Sequence, residues 1–223
     1  MRTRTLPVLL VTALTFALAG CLIESTLDAK GGGTMKVEMR TTPNSSIDKI
    51  KAKFEGPGVE VTKAKMDDKQ NVTIELTYTD FRSLGALKQF ENTTFTLTED
   101  LKAKTRTAGA VVKYAKPMTL PDDQVTYFGK DVTVAITLPG EIVKTDGKAK
   151  GKTVKWEMPL NKLIGSPETS FSVTYKHDGP PLPPAPAAPA TTPQAAAPAA
   201  AAQEVAAVPP ARAGRARRRE RAD

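Results

Sequence analysis

The chain has 223 residues, a formal net charge of +8, a single cysteine and a single histidine. One cysteine leaves no internal disulfide, and one of each residue excludes a Cys/His zinc set built from this chain alone. Residues 21–178 carry 24 basic and 21 acidic side chains. They alternate in sign as on a solvated surface, which argues against a nucleic-acid interface.

The order of the chain begins with an address. Arg2 and Arg4 precede an apolar run from Leu6 to Ala17, the length of a secretory core and too short to span a bilayer. Leu18-Ala19-Gly20 then leads into Cys21, the lone cysteine. This pattern resembles the lipobox of bacterial lipoproteins. The resemblance implies cleavage between Gly20 and Cys21 and a thioether-linked diacylglycerol on Cys21. Residues 1–20 are therefore expected to be a lipoprotein signal peptide. An ordinary signal peptide followed by a buried free thiol is the alternative. Each buried methylene contributes about 0.8 kcal/mol, so one acyl chain binds marginally whereas two or more hold firmly.

Residues 21–33 read as a lipidated tether, because Gly31-Gly32-Gly33 offers no side chain to pack and much backbone freedom. Beyond it, residues 34–178 read as one domain. Met35, Val37 and Met39 alternate with Lys36, Glu38 and Arg40, which predicts a half-buried strand. Pro43 to Ser46 stops it and offers helix caps. Ile47, Ile50 and Phe54 then share a helical face. Val59–Met66 predicts a strand whose phase slips after Val61, as at a bulge. Val72, Ile74, Leu76 and Tyr78 give the clearest alternation in the chain, and a hairpin should join these two strands.

Asp80 introduces a short helix through Phe81, Leu84 and Leu87, and Phe95 and Leu97 mark another strand. Leu101–Ala115 is poorly patterned and stays unassigned, and 117–123 reads as a loop. Val132 to Leu138 predicts a strand ended by Pro139-Gly140, followed by extended chain to Lys144 and a turn at Asp146-Gly147. Val154, Trp156 and Met158 face inward from the next strand. Leu160, Leu163 and Ile164 fit a helical turn, and Phe171, Val173 and Tyr175 make the last strand. The sum is an α+β domain: an antiparallel sheet of about seven strands with two or three short helices.

Leu138-Pro139-Gly140, Asp146-Gly147, Gly151 and Val154-x-Trp156, together with the element order from Met35, resemble a segment of the LppM-like bacterial lipoproteins. The resemblance runs from Cys21 to about Lys176. It implies a curved sheet backed by helices, an apolar face linked to lipid or glycolipid binding, and no catalytic residues. Met35, Met39, Trp156 and Met158 are the candidate lipid-binding face; Trp156 reads first as core, with a groove wall as the alternative, and the methionines fit either. Members of that family often end in a transmembrane helix with basic flanks, and this chain departs from the pattern.

Residues 179–211 hold ten prolines among many alanines, which forbids a continuous helix and favours a semi-rigid, polyproline-like spacer. Residues 212–223 form a basic tail through Arg212, Arg215, Arg217, Arg218, Arg219 and Arg221. The plain reading is a solvated, disordered tail. The sharper one is attachment to anionic headgroups or an anionic wall polymer.

Chemistry is sparse. His177 follows the last strand, where a surface role fits better than catalysis. Asp67-Asp68 and Asp122-Asp123 lack the spaced oxygens of a calcium loop. No nucleophile elbow or phosphate loop occurs. The expectation is therefore a non-enzymatic envelope lipoprotein that needs no cofactor and takes no nucleic acid or metal. It would bind a lipid or glycolipid on its apolar sheet face. A structural adaptor bridging membrane and wall through the spacer and arginine tail is the alternative. Leu22 after the cysteine favours outer-membrane sorting in an organism with two membranes.

Overall fold

The structure is a computed structural model and is described for residues 20–185. The apolar leader before Gly20, most of the Pro/Ala-rich spacer and the whole arginine tail lie outside the described residues, as do the expectations attached to them.

The α+β expectation holds, with a different arrangement of strands. Two sheets form. The larger has seven strands in the order β3 (Val59–Met66), β4 (Asn71–Tyr78), β2 (Gly33–Arg40), β1 (Gly20–Leu27), β7 (Asp131–Thr137), β10 (Thr153–Pro159) and β9 (Lys148–Lys150). The smaller has four: β5 (Thr93–Asp100), β6 (Thr105–Lys113), β11 (Glu168–Lys176) and β8 (Ile142–Thr145). The large sheet is mixed rather than antiparallel, since β1 runs parallel to β7 and antiparallel to β2.

β1 is the main correction. The stretch expected to be a flexible tether is a strand near the middle of the large sheet. Its residues alternate between faces: Ser25 and Leu27 are buried and Ile23 is half-buried, whereas Glu24 and Thr26 are exposed. Six residue pairs join it to β2 and seven to β7. Glycines shape only its exit. Gly31 takes φ 92°, and a Cβ on Gly33 would lie 1.9 Å from the Thr26 carbonyl oxygen, so β1 and β2 meet in a turn that excludes side chains.

The β3–β4 hairpin forms as expected, with its register slipping between Val61 and Lys63. Ser46 caps α1 (Ile47–Lys51), its hydroxyl accepting the Lys49 N–H at 3.4 Å. Asp80 caps a 3-10 segment, Phe81–Ala86, by accepting the Arg82 N–H at 2.8 Å. The unassigned stretch after Leu101 contains β6, which pairs with β5 and β11 in the small sheet. Its middle is Ala108-Gly109-Ala110, too small to register as a hydrophobic alternation, and Val111-Val112 then follow side by side. The expected loop at 117–123 gives way at Asp122 to a further helix, α2 (Asp122–Phe128). α3 (Leu160–Gly165) follows β10.

Both sheets contribute to a single core. Val37, Ile74, Leu76 and Val154 from the large sheet are buried with Leu97, Ala108, Val173 and Tyr175 from the small one. Phe54, Phe81 and Phe90 close one side with edge-on ring contacts, Phe54 to Phe90 at 5.9 Å and Phe81 to Phe95 at 5.2 Å. Such pairs add about 0.5–1.5 kcal/mol each beyond area burial. Among the described residues no helix is long and apolar enough to cross a membrane.

Candidate functional site

The site begins with what β6 lacks. Ala108 and Ala110 stand opposite the large sheet where bulkier residues would fill the gap between the two layers, with the Gly109 backbone between them. A narrow space of about 50 Å³ results, lined by Ile23, Met35, Phe95, Ala110, Trp156 and Phe171 among others. It shares Ile23, Phe95, Ala110, Val134 and Phe171 with a wider space of about 250 Å³. The wider space reaches Cys21, Tyr114, Val132, Leu160, Leu163 and Ile164. Sites for small lipophilic ligands are mostly apolar, and this lining has that character.

Trp156 is held from two sides. Its Nε1–H donates to Asp146 Oδ1 at 2.7 Å, and its ring meets Phe171 edge-on at 5.7 Å. A Cβ on Gly147 would lie 2.7 Å from Trp156 Nε1. The glycine thus lets the indole lie against the turn, and the aspartate before it satisfies the indole N–H. The Leu-Pro-Gly sequence has an equally local cause: a Cβ on Gly140 would lie 1.8 Å from the Lys176 carbonyl oxygen, so the chain leaving β7 passes the end of β11 only as glycine.

Of the four proposed face residues the structure brings Met35 and Trp156 to the intersheet space. Met39 is half-buried on β2, with its sulfur 4.0 Å from Gln89 Nε2. Met158 pairs with Val132 on β7. Cys21 is on the same face of β1 as Ile23 and Ser25, lining the wider space. Burial pushes its thiol up to about 11. Gly20 pairs with Asp131 where the sheet begins.

A second cluster was not legible in the sequence. Arg106 is fully buried. Its Nε donates to Glu99 Oε1 at 3.0 Å and its Nη1 to the Ala29 carbonyl at 2.8 Å, while Nη2 reaches the Pro180 carbonyl. Glu99 Oε2 accepts the Leu182 N–H at 3.2 Å. Burial opposes ionisation of Glu99, but the Leu182 N–H and the Arg106 guanidinium outweigh it and hold the carboxyl below the usual range. His177, expected at the surface, is buried, its Nε2 3.8 Å from Glu99 Oε1. Arg82 is paired with Asp80 and donates through Nη2 to the Pro183 carbonyl at 2.9 Å. Two arginines therefore pin the start of the proline-rich segment to the body. Among the described residues no group of three or more His, Cys, Asp or Glu is placed to hold a metal.

Residues 28–165 match the family model of the LppM domain. The chain belongs to the LppM family. The matched region starts just after β1 and ends with α3, so it takes in both walls of the intersheet space except β1 and β11. A solved structure that is similar, the folded domain of LppM from Mycobacterium tuberculosis determined by NMR, shares 13% identity with a TM-score of 0.47. The likeness covers 76% of this chain and 96% of that one. No curated protein matches the sequence. Membership makes this a lipoprotein-family domain, with the envelope location that this implies in general.

Proposed function

We propose that this LppM-family chain is a non-catalytic envelope lipoprotein, anchored through a diacylglyceryl group on Cys21, that takes an acyl chain of a lipid or glycolipid between its two sheets. The observation that carries the reading is the apolar space of about 250 Å³, which borders α3 and shares five lining residues with the narrower one against Trp156. Burial of the chain would drive binding at about 0.8 kcal/mol per methylene. Lys116 and Lys162, both exposed, lie close in sequence to Tyr114 and Leu163, which line the space, and on this reading would meet a headgroup.

The test is native mass spectrometry of the purified Cys21→Ser chain from a bacterial host. Co-purified lipid, lost after Ala110→Trp, is the expected result. An empty chain that instead retains an anionic wall polymer through its tail would favour the adaptor reading. That second reading has one observation behind it: Arg82 and Arg106 hold the Pro183 and Pro180 carbonyls at the base of the spacer. Outer-membrane sorting, proposed from Leu22, is checked by fractionating the two membranes of a double-membraned host.

A further inference from the structure

The sulfur that would carry the anchor is inside the site that would hold the ligand. Cys21 is the second residue of β1 and shares its inward face with Ile23, Ser25 and Leu27. It lines the same apolar space as Tyr114, Leu160, Leu163 and Ile164. Whatever is bonded to Sγ must start from where Sγ is. There is also no slack. Cys21 is already paired with Val132 and Leu22 with both Glu38 and Thr133, so no free residues separate the anchor from the sheet.

We propose that the diacylglyceryl group on Cys21 is itself the resident occupant, its glyceryl stem seated beside α3 and one acyl chain lying between the sheets. This rests on the anchoring reading above. In forming the thioether, sulfur gives an electron pair to the glyceryl carbon of a glycerophospholipid, the phosphate headgroup leaves with the electrons of the broken C–O bond, and the thiol proton is released. Cys21 is half-buried against that space, and the lipid folds in with the strand. The other acyl chain enters the bilayer, which sets the α3 end of the domain against the membrane. A free lipid then has to displace a chain that is covalently present at high effective concentration, and the anchor regulates the site.

The test uses the full-length chain in a bacterial host fed a fatty acid with a photoactivatable diazirine midway along it. After irradiation and proteolysis, the expected result is labelled Cys21 crosslinked to peptides containing Tyr114, Leu163 or Phe95 of the same molecule. Ala110→Trp, or the milder Ala110→Leu if the larger residue prevents accumulation, should keep the label and lose those crosslinks. Label on Cys21 with crosslinks to bilayer lipid alone overturns the proposal and leaves the anchor intact, as do intramolecular crosslinks that survive the filled site. Absence of label on Cys21 overturns the anchoring reading and this proposal with it.

Discussion

Arg106 shows how much one side chain can organise. It is charged, fully buried, and satisfied by a carboxylate and two backbone carbonyls drawn from segments far apart in sequence. Removing one member of a buried ion pair strands the other, at about 3–5 kcal/mol. Arg106→Ala is therefore expected to lower unfolding free energy by that amount in urea denaturation, and Glu99→Gln by less, because an amide still accepts the guanidinium bond. Glu99 also predicts a pH dependence. Its carboxyl titrates lower in the folded chain than in the unfolded one, where the value is about 4.3. The stabilisation is present above that unfolded value and is lost as pH falls through the folded one. Denaturation midpoints followed from about pH 6 to about pH 3 should fall more steeply for the native chain than for Glu99→Gln.

Gly140 is the second residue whose role is sterically fixed. With a Cβ 1.8 Å from the Lys176 carbonyl oxygen, an alanine there must push β8 away from β11. Gly140→Ala is expected to cost the upper part of the about 1–3 kcal/mol typical of overpacking, seen as a drop in thermal midpoint. Gly151 offers a control, since a Cβ there meets no atom within 4 Å. Its φ of 62° leaves only a backbone cost of about 1 kcal/mol or less for Gly151→Asn, as asparagine tolerates that region.

At the scale of elements, β1 decides the architecture. It joins a β3–β4–β2 half to a β7–β10–β9 half, and its parallel pairing with β7 is what makes the sheet mixed. A chain beginning at Asp28, where the family match starts, would leave Val37 and Val134 facing an empty lane and the strand edges of β2 and β7 unpaired. Such a chain is expected to lose native amide dispersion in NMR spectra, or to aggregate through those edges. Retained dispersion would show that the halves close on one another without β1. β6 makes the complementary point: its small residues weaken a local signal and at the same time open the space between the sheets.

At the scale of the whole molecule, the two ends of the described residues are held to the folded body by different means. The N-terminal end enters as a central strand with its cysteine against the intersheet space. The C-terminal end leaves under Arg106 and Arg82. On the proposed reading, the anchor and the site are one feature, and Cys21→Ser should move the chain from the membrane fraction to the soluble one while leaving the sheets intact by circular dichroism. A chain that stays with membranes after this change would require another attachment.

Much was legible from residue order alone. Alternation with period two placed β2, β4, β7, β10 and β11, because each buries one face and exposes the other. The phase slip after Val61 and the caps at Ser46 and Asp80 were equally local. The motifs at Gly140 and Gly147 marked the family before their steric causes were visible. Tertiary structure alone decided the rest. Whether a run such as Cys21–Leu27 hangs free or pairs depends on which strands offer it open edges, and those strands lie far along the chain. The cavity exists because small residues on β6 face β1 and β7, and the burial of Arg106 and His177 depends on the returning spacer. None of these is a property of a window of sequence; each is set by which distant segments end up side by side.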